Sequence, residues 1–191
     1  IEIRTLADLD EIRNNLTGSA LFGSSSGCLS TCNGFELSND LDFDSNGDGI
    51  VDVNDTYWNG GLGWQPIGLD YDTPFIAKFN GNGFVINHLM INRPEQEYIG
   101  LFGKTDLNAE ITQLGLVNVF IKGKYNVGAL TGSSAQTLYR DISSTGYIFG
   151  LSTVGGLIGY SDSEEITNAY HVGRVHSVNG GVGGVVGDAE G

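Results

Sequence analysis

Proline, basic side chains and long apolar runs are scarce in this 191-residue chain, and each scarcity excludes a class of protein. Three prolines accompany 30 glycines, but the glycines follow no three-residue period, which excludes collagen. Nine basic residues against 23 acidic ones give a net charge of −14, which argues against nucleic acid and anionic membranes as partners. No apolar run approaches the roughly 18 residues that span a bilayer, so we expect no membrane insertion.

Cysteine is also rare, since Cys28 and Cys32 are the only two in the chain. They flank Leu-Ser-Thr in a Gly/Ser-rich stretch and could close a small disulfide ring in an oxidising compartment. Two free thiols are the alternative. A zinc site is disfavoured because no second cysteine pair and no nearby histidine completes four ligands.

What is present indicates a folded extracellular body. Hydrophobic residues make up 40% of the chain, which argues against disorder. Strong acidity fits a solvated extracellular surface or the binding of divalent cations. The sequence has neither an initiating Met nor a signal peptide, so we read it as a processed or excised piece and infer secretion indirectly.

A glycine-marked block repeats through the second half of the chain. Its closing glycines are separated by 29, 27 and 28 residues. The four copies are Tyr98-Ile-Gly-Leu-Phe-Gly103, Val127-Gly-Ala-Leu-Thr-Gly132, Val154-Gly-Gly-Leu-Ile-Gly159 and Val182-Gly-Gly-Val-Val-Gly187. A weaker second motif begins at Ile111, Tyr139 and Ile166 with the same period. Short apolar segments bounded by turn residues predict strands that bury their faces by stacking on neighbouring repeats.

The repeat length selects the kind of solenoid. The blocks lack the ladder of leucines that defines leucine-rich repeats and the amphipathic helix pairs that define helical repeats. They are also shorter than a propeller blade. A coil of about 28 residues with two or three short strands predicts an all-β fold, a right-handed parallel β-helix that rises about 4.8 Å per coil. Apolar side chains would stack inward, and glycines would let the chain turn without a Cβ clash.

These blocks resemble the GLUG repeat of bacterial surface proteins. Phe35–Phe43, Trp64–Gly68 and Phe75–Ile86 fit what commonly precedes such repeats, so the resemblance covers residues 35–191. GLUG repeats occur in haemagglutinin-like adhesins and beside IgA-peptidase-type catalytic domains. The resemblance implies a stalk or adhesive segment outside the cell, and it implies no catalysis within the repeats.

Three regions follow from these patterns. Residues 1–34 hold a short helix, with Thr5 as N-cap and Asp8 completing a capping box, and the cysteine loop. The helix is interpreted as a cap over the first coil, and a linker helix is the alternative. Residues 35–97 form the first coils, and residues 98–191 form regular coils in one continuous solenoid. Because no capping motif follows the last block, we expect further coils or a neighbouring subunit there.

An aspartate-rich segment in the first coils has the spacing of a calcium loop. Oxygen side chains fall at loop positions one, three, five, nine and twelve, with a glycine at position six and a carbonyl at position seven. The loop resembles dockerin and thrombospondin type-3 calcium loops, because its last position is Asp rather than Glu. The predicted Ca²⁺ ligands are Asp44, Asn46, Asp48, Ile50, Asp52 and Asp55. A surface turn that binds nothing is the alternative.

Aromatic residues follow this loop. Tyr57 and Trp58 could offer rings to a glycan, whereas Trp64 is interpreted as core.

Catalysis is not indicated. Arg140 and Arg174 stand on successive repeats without recurring acidic partners, and Glu164 and Glu165 would point to opposite faces of a strand. His171 and His176 are expected on a solvated turn or strand face.

We therefore expect a non-enzymatic, calcium-stabilised segment of a bacterial adhesin or surface fibre that meets a host or matrix glycan or protein. A self-assembling filament built by coil stacking and a polysaccharide-processing enzyme are the alternatives.

Overall fold

The computed structural model describes residues 1–18, 34–107 and 109–190, and it is built almost entirely of short parallel strands. Among these described residues there is one short α-helix, α1 (Leu6–Glu11), near the start, and 3₁₀ turns follow at Ile12–Asn14 and Asn59–Gly61. The strands are β1 (Glu2–Ile3), β2 (Gly34–Leu37), β3 (Leu41–Asp42), β4 (Lys78–Asn80), β5 (Val85–Asn87), β6 (Met90–Asn92), β7 (Phe102–Thr105), β8 (Glu110–Lys122), β9 (Tyr125–Val127), β10 (Thr131–Ala135), β11 (Leu138–Gly150), β12 (Ser152–Gly155), β13 (Ile158–Asp162), β14 (Glu165–Ser177), β15 (Val182–Gly183) and β16 (Val186–Glu190).

Every pairing between these strands is parallel, which confirms the predicted parallel β-helix. The strands form three sheets around the coil, with orders β1-β2-β4-β8-β11-β14, β16-β13-β10-β7 and β15-β12-β9. The long strands β8, β11 and β14 each replace the three short strands of an earlier coil, since β4, β5 and β6 all pair with β8. The result is a solenoid of about four turns.

Inward side chains stack in columns along the solenoid, as the repeat pattern predicted. Three such columns run through the largest sheet: Phe79–Ile111–Tyr139–Ile166, Ile86–Leu116–Ser144–His171 and Ile91–Ile121–Ile148–Val175. Most of their members are fully buried. Because parallel pairing keeps equivalent residues in register, the side chains of one column face the same part of the interior on each coil.

The coil turns at residues in the left-handed backbone region, and most of them are not glycines. One corner column consists of Tyr98, Asn126, Thr153 and Gly181, which are separated by 28, 27 and 28 residues. A second corner column holds Asn82, Gln113, Asp141 and Asn168. Asn and Asp tolerate this conformation because their short polar side chains bond locally, whereas a β-branched residue such as Thr153 is strained in it.

The repeated glycines serve close approach rather than turning, which corrects the expectation that they let the chain turn. Gly103, Gly132, Gly159 and Gly187 all lack the left-handed conformation. A Cβ at Gly187 would lie 2.7 Å from the carbonyl oxygen of Gly159 and 2.7 Å from the backbone of Val154. The glycine column therefore lets two sides of the coil pack backbone against backbone.

The N-terminal helix forms with the predicted capping box. The Thr5 hydroxyl accepts a hydrogen bond from the Asp8 N–H, and the Asp8 carboxylate accepts from the Thr5 N–H. Leu9 and Ile12 are fully buried in the common core. The edge of the large sheet is β1, which pairs with β2, so the helix adds to the core beside that edge.

The run Phe35–Phe43 is not one strand, because a corner at 38–40 divides it into β2 and β3. The calcium-type loop follows β3, before Trp64, where the sequence placed it. Trp64 has no exposed surface and belongs to the core, as predicted. Cys28 and Cys32 lie outside the described residues, and the disulfide stays a prediction.

Candidate functional site

The loop 44–55 is organised by the two carboxylates at its ends. Asp44 accepts hydrogen bonds from the N–H groups of Gly47, at 2.8 Å, and Gly49, at 2.7 Å. Asp55 accepts from the N–H of Ser45 at 2.6 Å and from the N–H of Asp52 at 2.8 Å. Both side chains are largely buried, at 7% and 6% exposed. The loop is therefore closed at its neck by charged hydrogen bonds, the strongest kind available to a backbone N–H.

Hydrogen bonding also keeps Asp55 ionised. Burial alone would raise the pKa of Asp55, but hydrogen bonds from Asp52, Ser45 and Asn46 outweigh it and lower the pKa below its ordinary value. A carboxylate that stays charged while buried is the form that a cation needs.

The other predicted ligands lie at the loop surface. Asn46, Asp48 and Ile50 are exposed, and Asp52 is half-buried. Asp48 accepts a hydrogen bond from the Ile50 N–H at 3.1 Å, and Asp52 accepts from the Asn54 N–H at 2.8 Å. Within the described parts of the chain, no three His, Cys, Asp or Glu side chains are grouped closely enough to hold a metal ion.

The donor set nevertheless fits calcium in its chemistry, because it consists of oxygen atoms on one compact loop with the sharp turn that glycines permit. Gly47 and Gly49 both adopt the left-handed region, at φ values of 76° and 93°. Calcium binding would require Asp48 and Asp52 to turn toward the loop interior. The calcium ligands thus stay a prediction.

Tyr57 and Trp58, the predicted glycan contacts, occupy different surroundings. The Tyr57 ring packs edge-on against Phe43 and Trp64, with centroids 5.9 Å and 5.3 Å away, and its hydroxyl donates to the Leu6 carbonyl. Trp58 lies half-exposed beside Gly61. Tyr57 is therefore already engaged by protein on its ring and its hydroxyl, and glycan binding at this pair stays a prediction.

A buried lysine that the sequence did not indicate ties an exposed loop to the coils. Lys104 is 4% exposed, and its Nζ lies 3.5 Å from the ring centroid of Tyr71 and donates to Ser133 Oγ at 3.1 Å. Burial lowers the pKa of Lys104. A hydrogen bond with Tyr71 raises the pKa of the neighbouring Tyr98 to about 12. The ammonium group is thus satisfied by aromatic faces and one hydroxyl.

A cluster of buried hydroxyls fills the interior beside this lysine. The oxygen of the Tyr139 hydroxyl lies within hydrogen-bond distance of three others: Thr105 Oγ1 at 2.7 Å, Ser134 Oγ at 2.8 Å and Thr131 Oγ1 at 3.1 Å. Burial raises the pKa of Tyr139, so the phenol stays protonated. These groups satisfy one another, as buried polar atoms must.

Ser144 and His171 meet inside the last coils, which corrects the expectation of a solvated position for His171. Ser144 Oγ lies 2.8 Å from His171 Nδ1 and donates to the Gly156 carbonyl at 2.9 Å. Because Ser144 donates its hydroxyl hydrogen to the Gly156 carbonyl, His171 Nδ1 must be protonated and donate to Ser144 Oγ. Ser144 has no exposed surface, so this pair presents no accessible nucleophile.

The remaining residues considered for catalysis do not converge. Arg140 pairs in register with Thr167, whereas Arg174 pairs with Tyr147, seven residues farther along the chain and beyond the corner at Asp141. Glu164 turns back to Ser161, while Glu165 is exposed. The buried contacts of Thr105 with Tyr139 and of Ser144 with His171 could not be predicted from the sequence. Their members lie 27 to 34 residues apart, and only the register of the coils brings them together.

The chain is similar in sequence to parts of two known proteins. No family model matches the chain. Halomucin from Haloquadratum walsbyi is 31% identical over 167 residues, covering 86% of this chain and 2% of halomucin. A candidate Gly-rich membrane protein from Evansella cellulosilytica is 42% identical over 78 residues, covering 39% of this chain and 9% of that protein. The chain thus spans a small part of the length of both relatives.

A solved structure shares the architecture over nearly the whole chain. It is a candidate immunoglobulin A1 protease from Bacteroides ovatus, with a TM-score of 0.60, 17% identity, and coverage of 99% of this chain and 61% of that one. At this identity the likeness shows the parallel β-solenoid alone. No helix among the described residues is long and apolar enough to cross a membrane.

Proposed function

We propose that this chain is a non-enzymatic, extracellular solenoid segment of a surface protein, an adhesin or a surface fibre, in which it acts as a stiff spacer. The observation that carries the proposal is the continuous in-register stack of β8, β11 and β14, which couples successive coils by backbone hydrogen bonds along one axis. A parallel β-solenoid is consistent with a surface or structural protein, and the names of the two relatives suggest a surface or secreted location. The GLUG-type blocks support the same role.

Localisation can be tested on cells that produce the parent protein. An antibody raised against residues 98–190 should label intact, non-permeabilised cells or their secreted material. Labelling that requires permeabilisation would contradict the proposal.

Calcium is the proposed stabiliser of the loop 44–55. The support is the oxygen-only donor set and the buried carboxylates of Asp44 and Asp55 at its neck, with hydrogen bonds that lower the pKa of Asp55. A cation would offset the repulsion among four aspartates in one short segment, so the bound loop would resist unfolding more strongly than the free one.

The substitution Asp48→Asn tests calcium binding without removing the hydrogen-bond acceptor. Calcium titration by calorimetry should show one site in the parent chain and a much weaker one in the variant. Chelation should lower the Tm of the parent only. Asp70→Asn is the matched control, because Asp70 accepts similar hydrogen bonds from Asp72 and Thr73 in an exposed turn outside the motif. A Tm that ignores both calcium and chelator would end the calcium proposal.

Two alternatives have their own tests. A filament built by coil stacking is the first, because parallel coils pair with one another through the edges of their sheets. Electron microscopy of native material would show fibres of identical subunits in that case. Turnover of immunoglobulin A1 or of an acidic polysaccharide by the purified chain, lost in Arg140→Ala, would instead establish an enzyme.

A further inference from the structure

An aromatic groove lies on the outside of the regular coils. It has a volume of about 410 Å³ and forms where the last segments of β8, β11 and β14 bend toward the next strand. Its principal walls are Phe120, Lys122, Phe149, Leu151, His176 and Val178. A concave surface lined mainly by apolar groups with a few polar ones is the usual form of a binding site.

Rings repeat along the groove because of the coil register. Phe120 pairs with Tyr147 on the next coil, and Lys122 pairs with Phe149. The ring centroids of Phe149 and Phe120 are 6.1 Å apart, and those of Phe149 and Tyr147 are 6.4 Å apart. Phe120 is 42% exposed and Tyr147 55% exposed, so their faces meet solvent. The groove is thus a row of accessible rings spaced by successive coils.

Basic side chains border these rings in a strongly acidic protein. Lys122 lines the groove, and Arg174 occupies the position next to Tyr147 on the following coil. Across the described ranges, neither forms an ion pair within 4.0 Å, whereas Lys78 on the same sheet contacts Glu110 at 2.8 Å. Two of the nine basic residues of a chain with net charge −14 therefore stand unpaired beside aromatic faces. An anion with apolar faces complements such a surface.

The sheet geometry selects the kind of anion. The backbone groups of β11, which carries Tyr147 and Phe149, are used on both sides, by β8 and by β14, so an extended peptide finds no free strand edge at these two rings. A sugar ring offers an apolar C–H face to an aromatic ring, a polar rim to solvent, and, in an acidic sugar, a carboxylate to a cation. A chain of such rings could follow the row of aromatic side chains.

We propose that the groove lined by Phe120 and Phe149, together with the adjoining ring of Tyr147, binds an acidic polysaccharide of the uronic-acid type, with Lys122 and Arg174 meeting its carboxylates. This names a ligand for the surface role proposed above. The two proposals fail separately, since binding is measured on the purified chain and location on cells.

The experiment is a calorimetric titration of the whole chain with a galacturonate hexamer and with neutral maltohexaose. The acidic sugar should bind more tightly, and its affinity should fall between about 0.05 M and about 0.5 M NaCl as the cations are screened. Tyr147→Ser should weaken binding about tenfold, the size of one ring-stacking contact. Lys122→Gln should remove most of the preference for the acidic sugar.

Matched controls separate the groove from the general surface. Tyr170→Ser changes a tyrosine that is 57% exposed on the neighbouring face of the coil, and Lys78→Gln changes an exposed lysine outside the groove. Both should leave binding intact, and all four variants should keep the parent Tm. The proposal is overturned if neither sugar binds the parent chain, if Tyr170→Ser loses as much affinity as Tyr147→Ser, or if polyglutamate binds with the same dependence on Tyr147.

Discussion

The early coils, residues 34–97, and the regular coils, residues 98–190, share one architecture but differ in the groups that fill their interiors. The early coils are filled by aromatic side chains, such as Phe75, whose ring centroid lies 4.6 Å from that of Phe102 at the start of the regular coils. Glycines bring backbones into contact in both parts, as at Gly81 and Gly187, but the regular coils also contain a set of bonded hydroxyls around Tyr139. A parallel coil therefore does not prescribe its filling. It prescribes register, and large rings, close backbones or bonded hydroxyls can occupy the resulting space.

The largest effect is expected where the two fillings meet. Phe102→Ala should destabilise the chain by about 3–5 kcal/mol, because it removes a fully buried ring that contacts both Phe75 and Phe79. Urea unfolding followed by circular dichroism would measure the loss. Phe120→Ala, at a phenylalanine that is 42% exposed, should cost about 1 kcal/mol or less. Equal losses in the two variants would contradict a stabilising role for the contacts of Phe102 with Phe75 and Phe79.

One added methyl group should disrupt the close backbone packing at a glycine. In Gly159→Ala the added Cβ would overlap the backbone of Asn126 and Val127, which cannot move aside as a side chain could. We expect destabilisation by about 3 kcal/mol. At Gly184 a Cβ would meet nothing within 4 Å, so Gly184→Ala should change unfolding free energy by less than about 0.5 kcal/mol. Similar Tm values for the two variants would refute close approach as the reason for these glycines.

The hydroxyl filling is sharpened by a smaller change. Tyr139→Phe keeps the ring but leaves Thr105, Thr131 and Ser134 without their shared partner. Removing one member of a buried network should cost about 1–3 kcal/mol. Tyr147→Phe, on the same strand but 55% exposed, should be neutral in the same denaturant titration.

The smallest effect concerns pH and the inner side of the last coil. Burial lowers the folded-state pKa of His171, so the unfolded chain binds a proton more readily than the folded one. Stability should therefore fall as pH drops below the ordinary histidine value of about 6.5 toward the folded-state pKa. His171→Asn should reduce the slope of Tm measured against pH. A slope that survives His171→Asn would assign it to other groups.

Much of the fold could be predicted from sequence because its signal is periodic. The blocks ending at Gly103 through Gly187 indicated the coil length, and the motif at Ile111, Tyr139 and Ile166 is in register in the structure. The corners could not be predicted, since Tyr98, Leu107 and Thr153 adopt the left-handed region against their own preferences. There the stacked coils impose the conformation, and no local pattern records it.

The candidate sites divide in the same way. The aspartates of the loop 44–55 were visible because their spacing lies within one short segment. The groove at Phe120 and the contact of Ser144 with His171 were not, because each joins residues from different coils whose side chains have no common local motif. Residue spacing in the sequence can therefore predict a site within one coil, whereas a site built from several coils requires the register of the strands.

The parallel register of β8, β11 and β14 also has a mechanical consequence. Their hydrogen bonds point along the solenoid axis, so a pull along that axis would load the coils one after another rather than all at once. Each coil of about 28 residues that peels away would release roughly 90 Å of chain while giving up only one strand spacing of height. Under tension the segment would lengthen in steps and dissipate work at each one, like a tether that yields before its attachment fails.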